Sequence, residues 1–259
     1  MLLALDVGNT ESTVGLFEAD RLIGHWRLTT TAARTPDEWA ALLSTYLVNA
    51  GHSPSGVRAA IVASVAPLVT QSLCDGIAVM TGVTATVVDG RSRLPIRLEV
   101  DEPLTVGADR IVNTLAAARL FGRDTIVVDF GTATTFDCIT ADARFLGGVI
   151  MPGIRTAADE LVRRTAKLPA TELTTPERVI GKRTEDCIRA GVLWGSADAV
   201  DGIIRRIRAE WPGGGTPLVV ATGGLAALVV PLTTEIESVH PELTLVGLRL
   251  AAEALGLGW

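Results

Sequence analysis

Cysteine is scarce in this chain of 259 residues. Only Cys74, Cys138 and Cys187 occur, far apart and with no C-x-x-C pair. An odd, unpaired set excludes a disulfide framework and points to a reduced, cytoplasmic setting. Histidine is equally sparse. His25, His52 and His240 are scattered, which leaves little for a His-rich metal centre or His-based catalysis. Excess positive charge is also missing. The net charge is −6 and the pI about 5.2, so neither nucleic acid nor an anionic membrane is an expected partner. The longest uncharged apolar stretch, Pro217 to Leu232, is broken by Thr222-Gly223-Gly224 and falls short of a membrane span. The first apolar run has no basic residues before it and ends at Asp6, unlike a signal peptide. Several catalytic signatures are absent as well: no Walker A loop, G-x-G-x-x-G, H-E-x-x-H or G-x-S-x-G.

What the chain does have is a duplication. Thr125-Ile126-Val127-Val128 reads as a buried strand and runs into Asp129-Phe130-Gly131-Thr132-Ala133-Thr134-Thr135. Near the N-terminus, Leu3-Ala4-Leu5 runs into Asp6-Val7-Gly8-Asn9-Thr10. The two aspartates stand nearly half the chain apart, and each is followed at the same spacing by a glycine, Gly24 and Gly147. Each copy reads as strand, tight turn, strand, turn, strand. One Asp-x-Gly turn alone fits a β-turn whose aspartate caps backbone N–H groups. Two copies at matched spacing point instead to paired loops that hold phosphate on backbone amides, with a carboxylate beside each for a cation.

The rest of the chain fills in an α/β pattern. Thr35-Pro36-Asp37-Glu38 opens a helix whose apolar face is Trp39, Leu42, Leu43, Tyr46 and Leu47. A strand is expected at Ala59–Ala63, a helix to about Met80, and a strand at Ala85–Val88. Gly107-Ala108-Asp109-Arg110 starts the next helix, which joins the halves. Asp109 there fits an N-cap and a catalytic carboxylate equally. A helix is expected over 154–167, and Thr184 reads as the N-cap of a long amphipathic helix. Leu218–Ala221 is a buried strand entering Thr222-Gly223-Gly224, which is either an ordinary turn or a close approach to a nucleotide. Leu243–Leu255 is a final helix. Two halves follow, 1–118 and 119–259.

The duplicated meander with its late Thr-Gly-Gly resembles the actin, hexokinase and Hsp70 ATPase superfamily. That resemblance implies two ribonuclease H-like α/β halves with an ATP cleft between them. Within it, the chain is similar nearly end to end to the type III pantothenate kinases. The motifs that carry this are Asp6 to Thr10, Gly107 to Arg110, Asp129 to Thr134, Gly147-Gly148-Val149-Ile150-Met151-Pro152-Gly153, Thr222 to Gly224 and Leu243 to Leu248. The resemblance implies ATP-dependent phosphorylation of the pantothenate hydroxyl, the first step towards coenzyme A. It assigns Asp6, Val7, Gly8, Asn9, Thr10, Glu11, Ser12 and Thr13, with Thr132 and Gly223, to ATP. Magnesium goes with the nucleotide, and Asp129 matches a ligand of a monovalent cation, potassium or ammonium. Gly107, Ala108, Asp109 and Arg110 match the pantothenate site, with Asp109 as general base. Thr184 matches a substrate contact reaching in from the partner of a homodimer. Glu11, Val100, Glu102 and Arg183 depart from the family's frequent residues. A non-catalytic nucleotide-binding or regulatory protein, and another small-molecule kinase of the superfamily, are the competing classes.

Overall fold

The computed structural model describes residues 1–259 and divides into two units, Met1–Arg119 with Glu242–Trp259, and Leu120–Pro241. Each unit is built on a sheet that starts at one of the two apolar runs.

In the first unit, β1 (Leu2–Val7), β2 (Glu11–Glu18) and β3 (Arg21–Thr29) form an antiparallel meander. β4 (Ala59–Ser64) pairs parallel with β1, and β5 (Thr86–Val88) parallel with β4, giving the order β3-β2-β1-β4-β5. Side chains alternate along a strand, so β1 feeds two cores. Leu3, Leu5 and Val7 pack with α1 (Pro36–Asn49) and α2 (Pro67–Thr81) through Trp39, Leu43, Leu73 and Ile77. Leu2 and Ala4 pack on the opposite face with α3 (Ala108–Phe121) and α7 (Leu243–Ala254), through Ile111, Val112, Leu245 and Leu248. A short strand β6 (Arg97–Leu98) precedes α3.

Local chemistry explains where these helices start and stop. α1 opens on a capping box: Glu38 donates its backbone N–H to Thr35 Oγ1 at 3.3 Å, and Thr35 donates its own to Glu38 Oε2 at 2.8 Å. Pro36 occupies the first helical position, where its missing N–H is not needed. α2 begins at Pro67 and ends on Gly82 in the left-handed conformation.

In the second unit, β7 (Thr125–Phe130), β8 (Ala133–Ile139) and β9 (Arg144–Pro152) repeat the meander. β10 (Leu218–Thr222) pairs parallel with β7, and β11 (Ser238–Val239) parallel with β10. These five strands, in the order β9-β8-β7-β10-β11, repeat the order and the parallel or antiparallel senses of the first unit's sheet. Ile126, Val128 and Phe130 face a core closed by α4 (Ile154–Arg164), α5 (Thr184–Glu210) and the single turn α6 (Ala226–Val229). This is the α/β architecture of duplicated ribonuclease H-like halves.

Three details differ from the sequence reading. The sequence places the last helix in the second half, yet residues 242–259 lie in the first unit. Leu245 and Leu248 belong to the core of β1 and β4, and Gly247 lets α7 approach the Val112 backbone, where a Cβ would collide. Asp109 is not the N-cap of α3: the Ile111 N–H is accepted by the Gly107 carbonyl, which makes Gly107 the cap. Thr184 is not a cap either. Arg183 holds that position and makes no side-chain capping hydrogen bond. No helix is long and apolar enough to cross a membrane.

Candidate functional site: two Asp-x-Gly loops and the Asp109 helix start

The first loop connects β1 to β2. Asp6 sits opposite Thr13 in the ladder, and the turn between them closes with the Gly8 N–H donating to the Glu11 carbonyl at 3.1 Å. A Cβ at Gly8 would lie 2.7 Å from that carbonyl, so only glycine fits. Thr30, a residue the sequence reading does not single out, braces the loop from the end of β3. Its hydroxyl donates to the Gly8 carbonyl at 2.8 Å and lies 2.8 Å from Ser12 Oγ. Among the residues assigned to ATP, Val7 and Ser12 are buried, while Asn9, Thr10 and Glu11 are exposed. Val7 and Ser12 therefore shape the loop from beneath, and the tip residues present it.

The second loop, between β7 and β8, is one residue shorter. Asp129 faces Thr135, and the Gly131 N–H donates to the Ala133 carbonyl at 3.0 Å. Here the brace comes from α4. The Gly153 N–H donates to the Thr132 carbonyl at 3.1 Å and the Thr156 hydroxyl to the same oxygen at 2.7 Å. Gly153 has no alternative, because a Cβ there would run into Thr132 O. Thr156 gives no sign of this in the sequence, since a threonine in the first turn of a helix carries no local signal of a loop so far upstream.

Gly223 joins this second loop. Thr222 pairs with Asp129 across the parallel ladder, and Gly223 turns the chain at φ +92. A Cβ there would strike Asp129 Oδ1 and lie 2.6 Å from the Phe130 nitrogen. Asp129, Gly131, Thr132 and Gly223 thus form one cluster. Its hard carboxylate oxygen and its bare backbone cradle suit an oxygen-liganded cation.

Asp109 and Arg110 stand in the first turn of α3. Asp109 Oδ1 accepts the Arg110 backbone N–H at 2.9 Å and occupies the space that a Cβ at Gly107 would need. Burial pushes the Asp109 carboxyl above the usual carboxylate range, against the opposing pull of the Arg110 N–H and guanidinium. A half-buried carboxyl with a raised affinity for protons, next to a cation that can pair with an acid, makes this helix start a candidate chemical site. A cavity of about 210 Å³ lies beside this helix, lined by Asp89, Ser92, Leu98, Pro103 and Ile111 among others. None of the expected site residues lines it. Thr184 lies in a different place, on an apolar groove between α4 and α5 of the second unit.

The chain is similar to known proteins along nearly its whole length. The family profile described as type III pantothenate kinase matches residues 2–206. A type III pantothenate kinase from Moorella thermoacetica is 45% identical over 255 residues, 98% of this chain and 99% of the relative. One from Symbiobacterium thermophilum is 43% identical over 264 residues, covering 100% of this chain and 97% of the relative. Among solved structures, component A of (R)-2-hydroxyglutaryl-CoA dehydratase from Acidaminococcus fermentans aligns at a TM-score of 0.56 and 16% identity, over 98% of this chain and 96% of that one. A ROK hexokinase from Thermus thermophilus aligns at 0.51 and 14%, over 96% and 97%. These two share the fold alone. With the family profile spanning most of the chain, and two such relatives matching it almost end to end, the protein belongs to the type III pantothenate kinase family.

Proposed function

We propose that this chain transfers the γ-phosphoryl group of ATP to the hydroxyl of pantothenate, with Asp109 as the general base. The family gives the reaction, ATP as donor and a divalent metal with it. The observation that supports the base is the position of Asp109, held in the first turn of α3 with its proton affinity raised by burial. A base whose pKa moves towards the working pH accepts a proton more effectively. Arg110 is suited to the substrate carboxylate, since a guanidinium can take both oxygens at once. In this reading Asp109 orients the hydroxyl and takes its proton as the new P–O bond forms, while the bond to the β-phosphate oxygen breaks and ADP leaves. Phosphoryl transfer has a loose transition state, so orientation carries much of the effect.

The two loops are assigned to the nucleotide phosphates: Asp6 to Thr13 in the first unit, Thr132 and Gly223 in the second. Asp129 is suited to a monovalent cation, potassium or ammonium. When bound, the metal ions would supply positive charge beside the nucleotide phosphates. The reading includes a homodimer, with Thr184 of one copy at the substrate site of the other, and a reducing cytoplasmic setting consistent with three free cysteines. The test is formation of phosphopantothenate from ATP and pantothenate, in potassium and in sodium-only buffer. Rapid formation dependent on potassium supports the whole scheme. Formation at equal rates in both buffers removes the cation assignment, and no formation removes the activity.

A further inference from the structure

A pair of hydroxyls fixes the first loop, and only one proton direction satisfies both of their bonds. Thr30, the residue after β3, donates its side chain to the Gly8 carbonyl at 2.8 Å. The same Thr30 oxygen lies 2.8 Å from Ser12 Oγ. A hydroxyl has a single proton to give, and a carbonyl has none. Thr30 spends its proton on Gly8, so Ser12 donates to Thr30. The chain of bonds therefore runs from the Ser12 hydroxyl to the Thr30 hydroxyl to the Gly8 carbonyl, each bond polarising the next. Thr30 also donates its backbone N–H to the Thr10 carbonyl at 2.9 Å. A residue outside the turn thus grips it at Gly8, Thr10 and Ser12.

That direction decides what Ser12 can do. Its side chain is buried, at 1% exposure, and its proton is already given to Thr30. Phosphate oxygens are strong hydrogen-bond acceptors. The Ser12 hydroxyl has only lone pairs left, and these cannot bind a second acceptor. Peptide geometry decides what the turn can do. Every peptide bond here is trans, so each N–H points opposite the carbonyl of the residue before it. The Gly8 carbonyl faces Thr30, which turns the Asn9 N–H away from Thr30. The Thr10 carbonyl faces the Thr30 N–H, which turns the Glu11 N–H away as well. Asn9 and Glu11 are both exposed. Backbone N–H groups presented together from one turn make a concavity that binds anions.

We propose that Thr30 is a positioning residue for the nucleotide, acting through the Gly8 peptide, and that the Ser12 hydroxyl holds Thr30 rather than phosphate. This rests on the ATP reading of the first loop and divides the work within it. The Asn9 and Glu11 N–H groups meet the phosphate, and Ser12 and Thr30 aim them. The need for a tether comes from Gly8 itself. A Cβ there would lie 2.7 Å from the Glu11 carbonyl, so the turn requires glycine. Glycine is also the residue whose backbone turns most freely. Without the Thr30 hydroxyl the Gly8 carbonyl loses its donor, which is costly for a carbonyl shielded from water. The peptide then rotates towards another donor and carries the Asn9 N–H off line.

The test is isothermal titration of the full chain with MgATP in potassium buffer. Wild type, Thr30→Val, Thr30→Ser, Ser12→Ala and the double variant Ser12→Ala/Thr30→Val are compared, with KM for pantothenate on each. Thr30→Val keeps the backbone bond to Thr10 and removes the hydroxyl alone. It should weaken ATP binding by roughly tenfold, the upper end for one neutral hydrogen bond, and leave KM for pantothenate unchanged. Thr30→Ser should bind ATP as the wild type does. Ser12→Ala should cost less, about threefold, because the bond to Gly8 survives it. The double variant should bind no more weakly than Thr30→Val, since both substitutions break one chain. Unchanged ATP binding in Thr30→Val, no rescue by serine, or an equal rise in KM for pantothenate overturns the positioning role. A double variant whose two losses multiply overturns the Ser12 assignment. If Thr30→Val does not fold, Ser12→Ala decides: a loss beyond about tenfold, the scale of a hydrogen bond to a charged group, makes Ser12 a phosphate ligand, whereas about threefold supports the chain. A wild type that binds ATP and makes no phosphopantothenate removes the kinase reading and leaves this one to the ATP titrations. One that binds no ATP overturns both.

Discussion

Replacing Asp109 with asparagine separates the chemical role of this side chain from its structural one, because the two effects have opposite signs. Asparagine is nearly isosteric and its Oδ1 can still accept the Arg110 N–H, now as a neutral hydrogen bond. What changes is the charge. The folded chain holds the Asp109 carboxyl above its ordinary pKa, chiefly by burial. A group with a raised folded pKa binds its proton more tightly when folded, so the charged form costs stability. That cost is absent below the unfolded aspartate pKa of about 3.9 and is fully present once the pH has risen past the folded value. Asp109→Asn should therefore melt above wild type at pH 7, and the two curves should converge as the pH falls towards the ordinary carboxylate range. Activity should move the other way. Loss of a general base costs roughly 10²- to 10⁴-fold in rate, or about 2.7–5.4 kcal/mol of transition-state stabilisation. Nucleotide affinity should stay near wild type, since Asp109 is in neither loop. The assay is kcat and kcat/KM for pantothenate, with melting temperature against pH on the same samples. For the wild type, the acid limb of the rate profile should lie above the range of an ordinary carboxylate. A variant within about threefold of wild-type rate, well short of general-base loss, refutes the catalytic role. A variant that melts below wild type at pH 7 refutes the electrostatic argument.

Gly223→Ala should destabilise the second unit by about 1–2 kcal/mol from the left-handed backbone alone. It should also raise the potassium concentration for half-maximal activity, because the new Cβ displaces the Asp129 carboxylate; an unchanged potassium curve would count against the cradle. Thr156→Val, which removes the hydroxyl brace on Thr132, should raise KM for ATP with little change in KM for pantothenate, as steady-state kinetics with each substrate varied would show. Glu11→Gln removes an exposed acid beside the first loop and should lower KM for ATP by up to about fivefold, from about 1 kcal/mol for charges in contact in water; the gain should shrink in high salt. Thr35→Ala breaks the α1 capping box and should cost about 1 kcal/mol of stability with kcat unchanged, measured by urea denaturation alongside the assay.

The sheets are legible in the sequence because both are written as alternating or continuous apolar runs ending in the same Asp-x-Gly device. Leu3-Ala4-Leu5 and Ile126-Val127-Val128 announce the central strands, and the shared spacing from each aspartate to Gly24 or Gly147 announces that the units match. The capping box at Thr35 is legible too, since all of its parts lie within one turn of helix. What stays hidden is long-range. Leu243–Leu255 reads as an apolar helix, but nothing local says that Gly247 belongs against Val112. Of the two roles the sequence leaves open for Asp109, the cap of α3 falls away because the backbone chooses Gly107 instead. Thr30 and Thr156 are invisible because each acts on a loop remote from it along the chain.

Those two threonines show how one loop design is kept while its sequence drifts. In each unit the tight turn must hold its peptide planes, and a carbonyl inside the turn must be satisfied somewhere. The first unit answers with Thr30 from the end of β3, whose hydroxyl reaches the Gly8 carbonyl at 2.8 Å. The second answers with Thr156 from α4, whose hydroxyl reaches the Thr132 carbonyl at 2.7 Å. The turns differ in length by one residue and their braces come from different elements, a strand end and a helix. Yet each has a glycine where a Cβ would strike a loop carbonyl, Gly8 against Glu11 and Gly153 against Thr132. The physical requirement, a turn carbonyl tied down by a threonine hydroxyl and a backbone packed too closely for a side chain, is therefore common to both units although no aligned pair of residues meets it. A search for such loops in other duplicated α/β chains should look for that pairing of hydroxyl and carbonyl in space rather than for a longer sequence motif.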